Sequence, residues 1–304
     1  MTTTTTQPAA EQPKRRRTPR VLRITDENGK RVPAWQLVVR YVLLLAVLAL
    51  MIGPFLWQLS TSLKGPHEDI FSSPPEFLPS EPTLGNFGRV ADTIPVWDYA
   101  FNSLKVAVAN VLTNCVGAAL AGYALARMRY RGRKAALLAF ILAMLVPVEG
   151  IIIAQFTTMR DLGLNNTLIA VLLPGCVSAL NVLLMRNAFL NLPQEVEEAA
   201  FVDGANVWQR FTRIALPAVK GTLAVVAIFA FMGAWDDFLW PLIVLSDPEN
   251  FTLTIGLNYL HGTFANDERL VAAGTIIAVL PLIVLFACLQ RFFFRGVGEG
   301  AVKG

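Results

Sequence analysis

Charge is scarce in this chain. Only 16% of its 304 residues are Asp, Glu, Lys or Arg, and 54% are hydrophobic. A soluble domain carries about 25% charged residues, so this composition, with its mean hydropathy of +0.51, points to a membrane protein. Histidine is almost missing: His67 and His261 lie far apart in polar loops, with no partner at metal-ligand spacing. Cys115, Cys176 and Cys288 each stand alone in an apolar run, form no C-x-x-C, and read as small packing residues. No G-x-x-x-x-G-K-S/T occurs, so no P-loop ATP site is expected. No H-E-x-x-H occurs and no span holds a histidine, which argues against intramembrane metalloprotease and Ser–His protease chemistry. The residues point to no catalytic site, no metal site and no cofactor.

What is present is long apolar runs. A helix crossing a bilayer needs about 20 mostly apolar residues. Six segments qualify, at about 37–59, 102–125, 135–156, 167–184, 222–245 and 271–293. The expected fold is all-α, with six transmembrane helices. Residues 1–35, a Thr run followed by PAAEQPKRRRTPR, are polar, basic and Pro-rich and predict a disordered tail. The first apolar run, near residue 36, is too long for a secretory signal peptide. Pro54, Pro147, Pro174, Pro241 and Pro281 fall inside spans, where kinks are expected. Gly117, Ala118, Ala121 and Gly122 make two small-xxx-small pairs, a face for close helix contact.

Basic residues set the topology. Twenty-one of the 26 Lys and Arg fall in the tail, in RMRYRGRK, in the loop at about 186–221 and at the C-terminus. Both termini and that loop are therefore expected on the cytoplasmic side, and the loop at about 60–100 outside. The basic excess is a topology signal and implies no nucleic-acid partner.

Three acidic residues sit within spans: Glu149 in VPVEGI, and Asp236 and Asp237 in WDDFLWP. A carboxylate facing lipid is too costly to expect. Two readings stay open, cavity lining and interhelical pairing or helix-end solvation. An ion-coupled secondary transporter would need such groups, together with internal repeats that the sequence does not display.

The loop at about 186–221 contains EEAAFVDGANVWQRFTRIALP, charged and helix-forming between two lipid-like stretches. Glu195, Glu198 and Val202 share one helical face, Gly204 interrupts the run, and Val207, Phe211 and Ile214 share the face of a second short helix. The residues alone fit either an amphipathic elbow on the lipid surface or a docking element.

Glu198-Ala199-Ala200, three residues, Gly204, nine residues, Ile214, one residue and Leu216-Pro217 resemble the E-A-A-x(3)-G-x(9)-I-x-L-P loop of the binding-protein-dependent ABC importers. TLGNF, NSLKVA, AGYALARMRYRGRK, VDGANVWQRFTRIALP, FLWPLIVL and the ending GAVKG are similar to the carbohydrate-uptake branch, and within it to the maltose-type second permease subunit. The resemblance implies a type I importer permease with its domain over residues 36–304, in a bacterial-type inner membrane. It implies that Glu198, Ala199, Ala200, Asp203, Gly204, Ile214, Leu216 and Pro217 form a coupling helix against a separate ATPase. The implied partners are a second, homologous permease, two ATP-hydrolysing subunits, an external sugar-binding protein and membrane lipid. The chain itself would be no enzyme. Glu149, Trp235, Asp236, Asp237 and Trp240 are the candidates for the substrate path, the tryptophans either stacking on sugar rings or packing between helices. The sequence departs from many relatives in Asp236-Asp237, where Asn-Asp is common, and in IIIAQF. A same-superfamily permease for a non-sugar solute is a further alternative.

Overall fold

The computed structural model of the chain describes residues 33–70, 72–73, 76–260 and 267–301. All but the last three residues of the expected tail, and His261, lie outside these. The described residues form helices, and no strand occurs among them. Residues up to Phe55 form one unit and those from Leu56 another.

α1 (Ala34–Leu63) is apolar on every side and runs 30 residues, through Pro54 without interruption. At 1.5 Å per residue that is about 45 Å, enough to cross a bilayer core of about 30 Å. Within the first unit its side chains are bare, Leu44 at 63% and Leu50 at 73% exposure, the surface that a helix offers to lipid.

The second unit opens with an ordered loop. Lys64 is fully buried; its Nζ donates to the Glu76 carbonyl at 2.8 Å and lies over the Trp57 ring. The Glu68 carboxylate accepts from the N–H groups of Gly65, Ser80 and Glu81. Burial alone would raise the Glu68 pKa, but these three bonds and nearby Lys64 hold it below the usual glutamate value. α2 (Gly85–Thr93) follows, and Asn86 ties it to the end of α1 through the Ser62 and Lys64 carbonyls.

α3 (Val96–Arg127) is the central strut. Around it stand α4 (Arg133–Ala143), α5 (Ile152–Asp161), α6 (Leu168–Leu172) and α7 (Ala179–Leu190). α8 (Gln194–Val202) and α9 (Val207–Arg210) follow, then a π-helical turn over Phe211–Ala215 and the short α10 (Leu216–Ala218). α11 (Lys220–Trp235), α12 (Leu239–Val244), α13 (Leu253–Tyr259) and α14 (Glu268–Ala301) complete the chain.

Among the described residues, only Trp35–Leu63, Val96–Arg127 and Glu268–Gln290 are single helices long and apolar enough to cross a membrane. Three further pairs pass together but are bent: α4 with Val148–Asp161 by 96°, Leu168–Gly175 with α7 by 44°, and Val207–Ala218 with α11 by 79°. The first break ends at Pro147, and the second follows Pro174, whose missing N–H leaves the Ala170 carbonyl to the Trp240 indole. Pro281, like Pro54, is carried inside a continuous helix. The span expected at 222–245 is not one helix. α11 ends at Trp235 and α12 starts at Leu239, because Pro241 cannot donate to the carbonyl of Asp237 and the Asp237 carboxylate takes the Trp240 N–H instead.

Two buried clusters are strung along α3. One gathers Tyr99, Val106, Trp235, Trp240, Phe251 and Ile255. The other gathers Tyr123, Val182, Met185, Phe189, Phe211 and Val226. Close approach of α3 and α7 depends on glycine. A Cβ on Gly122 would meet Met185 Cβ at 2.8 Å and the Arg186 backbone nitrogen at 2.9 Å, and one on Gly117 would meet Val177 Cγ2 at 2.6 Å. The small-residue face read from the sequence is thus the α3–α7 seam.

That seam sets an expected contrast. Gly122→Ala pushes into backbone that cannot yield and should lower stability by about 1–3 kcal/mol. Gly88→Ala in α2 meets nothing within 4 Å. It should be neutral or stabilise by up to about 1 kcal/mol. Thermal unfolding of the detergent-solubilised protein ranks the two; equal melting temperatures would remove the seam's steric basis.

Candidate functional site

Three backbone breaks converge on one place. A cavity of about 320 Å³ is walled by α3, α5, α7 and α11 and reaches Val148, Pro174, Gly175, Ser178 and Asp237, which all lie at or beside a helix break. Interrupted helices are tolerated at membrane depth where they are buried in protein or line a cavity. Here asparagines repair the interruptions. Asn114 Nδ2 donates to the Gly175 carbonyl at 2.8 Å, and its Oδ1 accepts from the Ser178 N–H at 2.8 Å and from Asn181 Nδ2 at 2.9 Å. One side chain on α3 thus bridges both ends of the Gly175–Ser178 gap. Asn110, one turn earlier, donates to the Ala230 carbonyl of α11 at 2.8 Å.

The expected substrate-path residues divide. Asp237 and Trp240 line this cavity. The Trp240 indole N–H is committed to the Ala170 carbonyl at 3.0 Å, so only its ring is available there. Trp235 does not line it. It stacks on Phe231 and donates to the Ala278 carbonyl of α14, which makes it a helix-packing residue. Glu149 and Asp236 are exposed and stand outside the lining. The residues that sequence reasoning passed over are Asn110, Asn114, Gln155 and Asn181. The i, i+4 spacing of Asn110 and Asn114 on an apolar helix was the available signal.

The second site is the loop at the other end of α3. α8 ends at Val202, and Gly204 turns the chain with φ +83°, a left-handed conformation that glycine adopts without strain. Asn206 and Gln209 then form a capping box that starts α9. Of the loop residues singled out in the sequence, Glu198, Ala199, Asp203, Gly204 and Pro217 are exposed, while Ala200, Ile214 and Leu216 are half-buried. Phe201 at 67%, Val202 at 83% and Trp208 at 62% stand bare beside them. Glu198 is held by Gln194 one turn back, at 2.6 Å.

The footing beneath is the reverse, buried and polar. Glu197, next to Glu198, points inward and pairs with Arg127 at 3.4 Å, both side chains about nine-tenths buried. Tyr123 Oη reaches the same carboxylate at 3.5 Å. Arg127 also donates to the carbonyls of Phe189 and Leu192, closing the C-terminal end of α7. Arg133 does the same for α3 through Leu125 and Ala126. Two of the arginines read only as a topology signal therefore cap helices.

Comparison with known proteins gives a consistent picture. The family described as binding-protein-dependent transport system inner membrane component matches residues 114–299. The arabinooligosaccharides transport system permease protein AraQ of Halalkalibacterium halodurans is 34% identical over 229 residues, which is 75% of this chain and 82% of AraQ. The diacetylchitobiose uptake system permease protein DasC of Streptomyces coelicolor is 32% identical over 256 residues, 84% of this chain and 92% of DasC. In fold, the chain is similar to a subunit in the crystal structure of a bacterial ABC transporter involved in the import of the acidic polysaccharide alginate. That match has a TM-score of 0.75 at 26% identity and covers 84% of this chain and 95% of the other.

The Arg127–Glu197 pair makes a measurable forecast. Arg127→Met strands a buried carboxylate and two helix-end carbonyls and should cost about 3–5 kcal/mol. Glu197→Leu should cost less, since Arg127 keeps its carbonyl partners. The double variant should recover part of the Arg127→Met loss. Melting temperatures of the four proteins, run as a double-mutant cycle, give the coupling; strictly additive losses would show that the two side chains act independently.

Proposed function

Because the chain belongs to the binding-protein-dependent transport system inner membrane component family, a family of multi-pass ABC-importer permeases, we propose that it forms half of the translocation path for a sugar or oligosaccharide. It carries no ATPase of its own in this reading. ATP is hydrolysed by two partner subunits, an external binding protein delivers the solute, and a second, related permease supplies the other half of the path. Lipid contacts the apolar flanks. The basic-residue bias orients both termini and the 186–221 loop toward the cytoplasm and the loop at 60–100 outward.

The observation that carries the coupling role is the form of the loop. An exposed, partly apolar tip, with Phe201, Val202 and Trp208 bare, stands on a buried ionic footing. An elbow lying on lipid would need no such footing. Glu198, Ala199, Ala200, Asp203, Gly204, Ile214, Leu216 and Pro217 are the proposed ATPase-contact set. Closure of the ATPases draws the loops together, and the bundle alternates its access between the two sides. The ion-coupled reading is poorly supported. Of its three carboxylates only Asp237 reaches the cavity.

The test is import by the reconstituted complex. Uptake of labelled oligosaccharide should require ATP and binding protein. Glu198→Lys should weaken ATPase co-purification, and Gly204→Val should abolish binding-protein-stimulated hydrolysis while the subunit still inserts. Gly204→Ala should do less harm, because it adds the strain of an L residue at positive φ, about 1–3 kcal/mol, without a branched side chain. Wild-type docking, stimulation and uptake in the Glu198 and Gly204→Val variants would return the loop to the elbow reading. For topology, a reporter after Gly304 should read cytoplasmic and one near Ser80 external; the opposite pattern would invert the orientation.

A further inference from the structure

We propose that the pocket between the α3–α4 turn and the α8–α9 loop holds the phosphate of an anionic phospholipid headgroup, so that one lipid braces the loop against the end of α3. This goes beyond the transport reading and rests on it only for the side of the membrane on which the loop lies.

The first support is place. The α3 span runs as far as Arg127 and the next apolar helix, α4, starts at Arg133, so the turn between them sits at the membrane surface. A pocket of about 640 Å³ lies there, lined on one side by the end of α3 and that turn and on the other by α8 and α9. Its volume falls within the range of small-molecule sites, about 300–1,000 Å³, and has room for a glycerophosphate. The basic-residue bias puts the pocket on the cytoplasmic side, where basic pockets between membrane helices take anionic headgroups.

The second support is charge. Four arginines, Arg127, Arg129, Arg133 and Arg210, line the pocket against two glutamates, an excess of two positive charges. Glu197 is matched by Arg127, and Glu198 accepts from the Gln194 amide. Arg127 and Arg133 are fixed by the helix-end carbonyls that they cap. Arg129 and Arg210 have no such duty: among the described residues neither makes a hydrogen bond or an ion pair. Arg210 is half-buried over the Phe201 ring, its Cζ 5.5 Å from the ring centre. Its Nε is enclosed without a partner, which leaves the two Nη groups to meet a ligand. A half-buried guanidinium with nothing to bond carries a desolvation cost that an anion offsets. Guanidinium forks match phosphate oxygens in pairs.

The third support is the apolar surface beside these charges, which separates a lipid from a free anion. Met128, Phe201 and Val207 line the same pocket and are exposed. α4 leaves the pocket at Arg133 and carries Leu138, Ile141 and Leu142 bare. Free phosphate gains nothing from such surface, whereas acyl chains are stabilised by covering it. An acidic side chain of an ATPase would meet the arginines and leave the α4 face uncovered.

The experiment is native mass spectrometry of the whole importer, both permeases and both ATPases, purified in detergent and titrated with phosphatidylglycerol, phosphatidylcholine or inorganic phosphate. The wild type should retain phosphatidylglycerol in preference to phosphatidylcholine, and inorganic phosphate should not displace it. Arg129→Gln and Arg210→Gln should each weaken the retained lipid about fivefold, the loss expected for one arginine at an anionic surface. The double variant should carry one phosphatidylglycerol fewer per complex. Arg131→Gln, on the same turn but outside the pocket, should retain the lipid as the wild type does. Arg129 is exposed and unbonded among the described residues, so Arg129→Gln carries the test if the Arg210 variant does not assemble. An unchanged lipid count in the double variant, an equal loss in Arg131→Gln, or displacement by inorganic phosphate overturns the site. So does weaker ATPase retention with the lipid count unchanged, which would assign the arginines to an acidic group of the ATPase. Subunit composition is read from the same spectra. An importer that assembles without this lipid overturns the site and leaves the permease reading standing; a chain that holds the lipid but recruits no ATPase overturns the permease reading alone.

Discussion

Every peptide group inside a bilayer must find a hydrogen-bond partner within the protein. This chain breaks several of its membrane helices, so it must repair what it breaks, and buried asparagines are spent there. Asn114 closes the gap between α6 and α7. Asn102 reaches the carbonyls of Glu249 and Phe251 in the turn before α13, and Ser103 accepts from the Leu253 N–H that opens it. Asn166, held at φ +58°, takes the N–H groups of Ser246 and Asp247 beyond α12. Arg127 and Arg133 close helix ends at the other end of the bundle. Asparagine is suited to this, since one short, neutral side chain donates and accepts at once, without the desolvation cost of a charge.

The repairs explain why the cavity lies where it does. A broken helix exposes backbone that lipid cannot solvate, so breaks gather where they can share partners. The turns beside Pro147 and Pro174 and the α11–α12 junction gather around one space. The side chains that mend them make that space polar. The same economy leaves one buried acceptor unspent. Asn114 is saturated, whereas Asn181 lies in the same network with an acceptor left over. Trp235 and Trp240 show the same division among aromatics: each N–H is bonded to a carbonyl, but only Trp240 turns its ring to the cavity.

Much of this was legible in the sequence, and the part that was not has a common cause. Long apolar windows locate α1, α3 and α14 because hydropathy averages over about 20 residues. That averaging also hides a break of three residues, and Asp236-Asp237-Phe238 disappeared into an expected span of 222–245. The loop was legible because its spacing is local: Glu198, Gly204 and Pro217 fall within one short stretch. The footing was not, because Arg127 and Glu197 are separated by 70 residues in the chain and nothing local marks them as partners. Likewise Asn181 reads as an ordinary polar residue at the start of α7 until α3 is brought beside it.

The loop and the cavity share their supports. α3 carries Asn110 and Asn114 at the cavity and Arg127 at the footing. α7 carries Asn181 at the cavity and Phe189, whose carbonyl Arg127 holds, at the footing. Asn114 and Arg127 are 13 residues apart, about 20 Å along a helix. Between them lies Gly122, where α7 comes so close that a single methyl would not fit. Two helices pressed together over that length, tied by Asn114–Asn181 at one end and by Arg127 to the Phe189 carbonyl at the other, resist sliding and bending. In the proposed coupling role, these supports are the route by which a push on α8 would reach the cavity wall. Interfaces packed this tightly favour discrete arrangements over continuous deformation, which is the property a two-state gate requires.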